Sequence, residues 1–510
     1  MLVDKKIFAI FLLFLTLRGT AQWDRVQVDG GVISGKTDPA GDLHIFKGIP
    51  FAAPPVGELR WKEPQPVTPW QGVRVCDSFG PSPMQGKPVP FMMWTQEFLI
   101  PPSPISEDCL YLNVWTGAKT PGERRPVLVW IYGGGFVSGG AGCPIYDGAA
   151  TARKGVVFVS INYRVGVFGF FAHPELSLES GHHASGNYGL MDQIAALKWV
   201  QQNIAAFGGD PAQVTIAGQS AGSRSVNCLT ASPLAKGLFQ RAIAESGAQF
   251  VGENASLLTA ENAGQNMMQR LNVASFKDLR AMPAEELMRK AQGSWLPIVD
   301  GYVLPDAILT IFRNHKENAV GLLTGWTEDE ISPPVRSARD FQKEIGTDHK
   351  NYDSLTLIQY YPAETDSEAA VSERRLARDM VIGMQNYAWA NMASVQGSKV
   401  FVYRFMRRLP ATGEDKKYGA FHTGDVPYAY DNLQFVNRPW EPVDHRLAAV
   451  MSDYWVNFVK TGDPNGVGLP LWEAYTTQDK TIMFLSEKPG CAPMPDTREL
   501  DYLLSKSRFN

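Results

Sequence analysis

Short, continuous apolar runs recur through the middle of the chain and predict buried strands. The runs at 126–132 (PVLVWIY), 155–162 (GVVFVSIN) and 213–218 (QVTIAG) are rich in β-branched residues. Two later runs, at 319–325 (AVGLLTG) and 399–405 (KVFVYRF), have the same character. Runs of this length without polar alternation are typical of strands covered on both faces, as in a parallel sheet.

Amphipathic segments lie between these runs and predict helices. In the segment 187–207, apolar residues such as Leu190 and Ile194 recur at helical spacing, as expected of a helix that connects two parallel strands. The segments 373–393 and 444–460 also predict helices. Strands that alternate with helices over several hundred residues predict an α/β fold with a mainly parallel sheet.

The first part of the chain departs from this pattern. Residues 27–35 (QVDGGVISG) alternate apolar and polar positions around Asp29 and Gly30, which predicts a β-hairpin. Residues 51–106 are rich in proline, which favours loops and short edge strands over helix. No linker, charge block or repeat divides the remainder. We therefore expect a single domain over 22–510, with a central, mostly parallel twisted sheet flanked by helices and with inserted loops and helices.

The N-terminus has the features of a targeting segment. Two lysines precede an apolar run at 7–17, and Gly19 and Ala21 follow at the −3 and −1 positions of a cleavage site. This pattern predicts a secretory signal peptide over 1–21, cut before Gln22. The apolar run is shorter than the roughly 20 residues that span a bilayer. We therefore expect a secreted or periplasmic protein.

Composition narrows the class of protein. The chain has 510 residues, of which 44% are hydrophobic and 20% charged, as in a globular protein. The net charge is −4 and no basic run occurs, so we expect no nucleic-acid partner. No later segment has the apolar length of a membrane helix, so we expect no stable membrane insertion after signal removal. The scattered histidines and the absence of a C-x-x-C pair favour no structural metal site.

A serine between two glycines is the candidate nucleophile. In the stretch 214–225 (VTIAGQSAGSRS), Ser220 lies between Gly218 and Gly222, directly after a predicted strand. Strand–Gly-x-Ser-x-Gly–helix is the arrangement of a nucleophile elbow, in which a tight turn holds the serine in a strained conformation. A side chain at either glycine would collide with neighbouring backbone. The N–H of Ala221, the first of the following helix, would point into the site.

A second glycine motif follows the strand at 126–132. In YGGGF (132–136), the bare backbone would let a carbonyl oxygen approach the N–H groups of Gly134 and Gly135. Together with Ala221 these groups would form a three-donor oxyanion hole, in which each donor contributes about 3 kcal/mol to the transition state. The alternative is an ordinary glycine-rich turn.

These motifs resemble those of the type-B carboxylesterase family of α/β-hydrolases, which includes the cholinesterases and bacterial esterases active on p-nitrobenzyl esters. The resemblance extends from about residue 26 to the C-terminal helices. The matching segments are 46–61 (FKGIPFAAPPVGELRW), 106–115 (SEDCLYLNVW), 129–139 (VWIYGGGFVSG), 161–170 (INYRVGVFGF), 186–223, 231–248 and 419–428 (GAFHTGDVPY).

The resemblance implies a Ser–Glu–His triad in that order along the chain, with Ser220 as nucleophile. The family histidine matches His422 in GAFHTGD. The family acid lies in a short acidic segment after a strand, and Glu330 in TEDEIS is the match. Because Ile331 replaces the usual glycine there, Glu328 and Asp329 remain competing candidates.

The expected roles follow from proton transfer. His422 would accept the proton of Ser220 during attack and return it to the leaving alkoxide. Glu330 would fix the imidazole tautomer and stabilise the imidazolium. No cofactor is needed. Ser246 and Asp425 are candidates for supporting this group from behind.

The cysteines depart from the family pattern. In relatives, the counterpart of Cys109 pairs with an upstream cysteine, but Pro83 stands at the nearest matching position here. The resemblance suggests Cys76 as a substitute partner, and the sequence leaves the pairing open.

The expected function is cleavage of a small-molecule carboxylic ester by a secreted serine hydrolase. Alternatives are a specialised esterase for acetyl or feruloyl groups of polysaccharides, for carbamates or for toxin esters. A remoter alternative is a binding protein on an inactive hydrolase scaffold. The aromatic and methionine residues expected to line the pocket are Met92, Met93, Trp94, Phe136, Trp295 and Trp326.

Overall fold

The computed structural model describes residues 25–250, 255–331, 336–349 and 351–507. The predicted signal peptide, 1–21, lies outside the described residues. The strands of the described residues are β1 (Val26–Val28), β2 (Gly31–Ser34), β3 (Lys36–Thr37), β4 (His44–Pro50), β5 (Val73–Val75), β6 (Ser82–Pro83), β7 (Ile105–Ser106), β8 (Tyr111–Thr116), β9 (Arg125–Ile131), β10 (Val157–Ile161), β11 (Gly209–Gln219), β12 (Arg241–Glu245), β13 (Gly321–Thr327), β14 (Val400–Phe405), β15 (Thr481–Leu485) and β16 (Gly490–Pro493).

Helices surround and connect these strands. They are α1 (Ala149–Arg153), α2 (Gly166–Phe170), α3 (Pro174–Glu179), α4 (Tyr188–Asn203), α5 (Ala221–Ala231), α6 (Leu257–Leu271), α7 (Phe276–Ala281), α8 (Ala284–Lys290), α9 (Ile308–Arg313), α10 (Ala338–Asp348), α11 (Ser354–Tyr360), α12 (Asp366–Arg378), α13 (Met384–Val395), α14 (Val426–Ala429), α15 (Pro442–Thr461) and α16 (Thr497–Lys506).

One large mixed sheet organises the fold. Its strand order is β16-β15-β14-β13-β12-β11-β9-β10-β8-β4-β3. The strands from β10 to β15 in this order pair in parallel, and antiparallel strands complete both edges. Helix α4 connects β10 to β11 across β9, as expected of a crossover between parallel strands. The chain therefore has the predicted α/β-hydrolase architecture.

The sequence predictions hold for the central elements. All five predicted buried strands are present, as β9, β10, β11, β13 and β14. The predicted hairpin is the antiparallel pair β1–β2, with Val28 opposite Gly31. The proline-rich residues 51–106 contain only short strands and single helical turns among their described elements.

Two elements differ from expectation. The predicted helix at 373–393 begins earlier, because the side chain of Thr365 caps its first turn by accepting from the N–H of Glu368. A π-helical turn at Asp379–Gly383 then separates α12 from α13. Strand β12 was not predicted, because its sequence RAIAE is short and partly charged although most of it is buried.

The proposed disulfide does not exist in the structure. Both Cys76 and Cys109 are buried free thiols. The sulfur of Cys76 lies 3.9 Å from the carbonyl oxygen of Gly48. Cys109 lines a small cavity together with Trp61. The two sulfurs therefore belong to different packing environments, which corrects the suggestion that they pair.

The carboxyl ends of the parallel strands place the candidate residues near one another. Ser220 follows β11, and the glycine motif follows β9, the neighbour of β11 in the sheet. Glu330 follows β13, and an isolated bridge joins Asp329 to Phe421, next to His422. Ligand sites in open α/β sheets form at this edge.

Candidate active site

Ser220 occupies a strained turn between β11 and α5. Its backbone has φ 58° and ψ −121°, outside the regions that most residues adopt. A Cβ atom at Gly218 would lie 2.5 Å from the backbone of Gly222, and one at Gly222 would lie 2.0 Å from the carbonyl oxygen of Ile131. Both glycines are therefore required by close backbone approach, as the sequence predicted.

Glu330 and His422 are in direct contact. The Nδ1 atom of His422 forms a short hydrogen bond with Glu330 Oε2. Glu330 Oε1 accepts from Ser246 Oγ at 2.5 Å and from the N–H of Thr327 at 2.7 Å. Burial acts to raise the pKa of Glu330, but the charge and hydrogen bond of His422, with the bonds from Ser246 and Thr327, hold that pKa below its ordinary value. Glu330 is therefore an ionised, fully hydrogen-bonded carboxylate.

The two competing carboxylates point elsewhere. Glu328 forms ion pairs with Arg378 at 2.7 Å and Arg404 at 3.0 Å. Asp329 Oδ2 accepts from the N–H of Ala420 at 2.9 Å. Of the three acidic residues in the segment, the structure places Glu330 against the histidine.

The Ser220 hydroxyl and His422 are not joined by a hydrogen bond in this structure. The hydroxyl has no hydrogen-bond partner among the described residues, although both side chains line the same cavity. Instead, His422 Nε2 lies 3.2 Å from Gln219 Nε2. Since Nδ1 donates to Glu330, Nε2 is the acceptor and Gln219 donates to it. Sequence analysis missed Gln219, although it stands beside the serine within the motif.

The backbone donors of the two glycine motifs are free. The N–H groups of Gly134, Gly135 and Ala221 donate to no acceptor in the described parts of the chain. Gly134 and Gly135 have φ of 107° and 64°, which a glycine adopts readily. A Cβ at Gly133 would lie 2.6 Å from the carbonyl oxygen of Gln219, so the glycine loop packs directly on the serine turn.

Asp425 and Ser246 lie behind the histidine and the acid. Asp425 Oδ2 accepts from the hydroxyl of Tyr403 at 2.7 Å. Burial raises the pKa of Asp425 to about 6; the Tyr403 hydrogen bond lowers it, and the nearby charge of Glu330 raises it. Ser246 contacts Glu330 directly, whereas Asp425 is coupled to Glu330 only through charge.

A cavity of about 570 Å³ opens beside Ser220 and His422. We call it the serine cavity; Gly134, Gly135, Ser220, His422 and Trp94 are among the residues that line it.

The other aromatic and methionine residues predicted to line the pocket lie elsewhere. Phe136 and Trp295 line a neighbouring cavity. Trp326 is buried with the Arg404 guanidinium 4.5 Å from its ring. Met93 is buried, and Met92 is exposed.

Neither a membrane-spanning helix nor a cluster of potential metal ligands occurs in the described residues. None of the helices there has the length and apolar character to cross a membrane. No group of three or more His, Cys, Asp or Glu side chains in the same residues is arranged to hold a metal ion.

Comparison with known proteins identifies the family. The model of the carboxylesterase family matches residues 22–503. The chain is 33% identical over 472 residues to a fumonisin B1 esterase of Sphingopyxis macrogoltabida, covering 88% of this chain and 84% of the relative. It is 33% identical over 489 residues to carboxylesterase 5A of Canis lupus familiaris, covering 88% and 82%. It is 34% identical over 491 residues to carboxylesterase 1D of Rattus norvegicus, covering 86% and 85%.

The family match extends over nearly the whole chain and agrees with the sheet topology. The chain therefore belongs to the carboxylesterase family and is a carboxylic ester hydrolase with an α/β-hydrolase fold.

Proposed function

We propose that this esterase acts through an acyl-enzyme intermediate, with Ser220 as nucleophile, His422 as general base and Glu330 as the acid that orients the imidazole. The observation that carries the proposal is the contact between His422 Nδ1 and Glu330, with His422 Nε2 facing the cavity that Ser220 lines. The contact fixes the tautomer in which Nε2 can accept a proton.

In the first step, Ser220 Oγ attacks the ester carbonyl while His422 Nε2 takes its proton. Nε2 must exchange the Gln219 amide for the Ser220 hydroxyl before this step, and catalytic hydrogen bonds often close only with substrate bound. The imidazolium then gives the proton to the leaving alkoxide. Water repeats the sequence on the acyl-enzyme and releases the acid.

The developing oxyanion is stabilised by the free N–H groups of Gly134, Gly135 and Ala221. Preorganised donors of this kind contribute about 3 kcal/mol each to transition-state stabilisation. Ala221 begins α5, so the positive end of the helix dipole adds to the same effect. The chemistry requires no cofactor.

We also propose that the protein is exported to the periplasm or secreted. The basic, apolar and small-residue pattern of 1–21 supports this proposal.

The test of the mechanism is labelling by a fluorophosphonate probe. The parent protein should label with one equivalent, and Ser220→Ala should not label and should lose about 10⁴-fold or more in kcat. Ser225→Ala is a matched control, because Ser225 is a second serine on α5 that does not line the serine cavity. Its hydroxyl donates to the carbonyl oxygen of Ala221. If the parent does not label, or if Ser220→Ala still hydrolyses esters at the parent rate, the mechanism is wrong.

A further inference from the structure

A second cavity, of about 420 Å³, adjoins the serine cavity. Gly135 and Val137 line the serine cavity, whereas Phe136, between them, lines the second one. The Phe136 ring packs edge-on against Phe170, with the ring centroids 5.2 Å apart, and both rings line the second cavity. The loop that carries the proposed oxyanion donors thus separates the two spaces.

One cation faces this largely apolar space. Arg224 lines the cavity with Trp295 and Ile298, and we call it the arginine cavity. Arg224 lies one turn after Ser220 on α5, and its N–H donates to the Ser220 carbonyl oxygen at 2.9 Å. The backbone of Arg224 is therefore fixed one helical turn from the reacting serine.

The Arg224 guanidinium has no partner among the residues that the structure describes. In the described part of the chain, it forms no hydrogen bond or ion pair, and none of the cavity-lining residues is Asp or Glu. Burial lowers the pKa of Arg224, and the Cys228 thiol opposes this only in part. Arg224 is partly buried, whereas buried arginines of the described residues pair with carboxylates: Arg164 with Asp192, Arg404 with Asp496, and Arg407 with Asp444.

An uncompensated cation in an apolar cavity is costly unless a ligand supplies the opposite charge. A guanidinium presents paired N–H donors whose geometry matches a carboxylate. The cavity therefore offers a site for an anionic group on an otherwise apolar chain.

The position of His422 decides which part of the ester enters this cavity. The proposed mechanism requires His422 to protonate the leaving alkoxide, so the alcohol must lie beside His422, in the serine cavity. The acyl group extends the other way from the carbonyl carbon. The arginine cavity adjoins that position, since Phe136 beside Gly135 and Arg224 one turn after Ser220 both line it.

We propose that the arginine cavity binds an acyl group that ends in a carboxylate, which pairs with Arg224. The preferred substrates would then be monoesters of dicarboxylic acids, whose one free carboxylate matches the one guanidinium. This proposal rests on the serine hydrolase mechanism proposed above.

The test compares two ethyl esters with acyl chains of equal length, monoethyl adipate and ethyl hexanoate. In the parent protein, kcat/KM should be higher for monoethyl adipate. In Arg224→Met, the ratio of the two kcat/KM values should fall about 10- to 100-fold, as expected for loss of a charged hydrogen-bonded pair. Arg224→Lys should keep part of the preference, because it keeps the charge but loses the paired donors.

The control is Arg289→Met, which removes the same charge from an exposed position on α8 and should leave the ratio unchanged. Parent preference for ethyl hexanoate, or a ratio unaffected by Arg224→Met, would overturn the substrate class while leaving the hydrolase mechanism intact. Failure of the mechanism looks different, because neither ester would be cleaved and the phosphonate probe would not label Ser220. That result would overturn both proposals.

Discussion

At the residue scale, the three acidic residues after β13 differ in what they contact. Two of them stabilise the structure, and the third belongs to the proposed catalytic group. Glu328 lies in an ion-pair network with Arg378 and Arg404, and Asp329 holds the backbone of Ala420. Glu330 contacts His422 and takes hydrogen bonds on both of its oxygens. Three adjacent acidic residues thus have three different environments.

Replacing Glu330 by Gln should lower kcat about 10³- to 10⁴-fold with little change in the fold. The amide cannot stabilise the imidazolium and would favour the wrong tautomer. Steady-state kinetics on a p-nitrophenyl ester, with circular dichroism for the fold, measures the effect.

The matched control is Asp329→Asn, one residue away. It keeps an acceptor for the Ala420 N–H and should retain kcat within a few-fold. A large loss of kcat in Asp329→Asn with little loss in Glu330→Gln would show that Asp329, and not Glu330, is the acid.

At the element scale, a buried ion pair fixes α4 to the segment after β10. Arg164 donates to Asp192 at 2.8 Å from Nε and at 2.7 Å from Nη2, and both residues are buried. The backbone N–H of Arg164 also donates to Asp192 Oδ2 at 3.0 Å. Because α4 is the crossover that leads into β11, this contact supports the strand that presents Ser220.

Asp192→Asn should lower the free energy of unfolding by about 3–5 kcal/mol, because it leaves the Arg164 charge buried and unpaired. Urea unfolding followed by tryptophan fluorescence measures the loss. The control Glu286→Gln breaks an exposed pair with Lys290 on α8 and should cause no measurable change. Equal stability of Asp192→Asn and the parent would show that the pair is not needed for the fold.

At the scale of the whole molecule, one edge of the sheet organises the function. Loops after β9, β11, β13 and β14 converge there, and the two cavities lie on either side of the glycine loop. The division gives the alcohol and the acyl group of an ester separate spaces.

Expression of the full chain should yield an exported protein whose first residue is Gln22. Intact-mass measurement of the protein from the periplasm or medium tests this expectation. Ala21→Arg places a large charged residue at the −1 position and should block cleavage. Recovery of an uncleaved parent protein from the cytoplasm would contradict the proposed export.

The sequence alone determined the local features of this protein. Apolar runs predicted β9, β10, β11, β13 and β14, because a strand buried on both faces needs such a run. The glycines around Ser220 predicted the elbow, because only glycine permits that backbone approach. The sequence could not locate β12, whose burial depends on its neighbours rather than on its own composition.

Tertiary structure decided the matters that depend on which side chains meet. It selected Glu330 over Glu328 and Asp329 as the neighbour of His422, and it separated Cys76 from Cys109. It also revealed Arg224 as a cation without a partner in the described parts of the chain, which no sequence motif indicates. Contacts between residues distant in the chain are set by the packing of whole elements, so a sequence motif can name the participants but not their pairing.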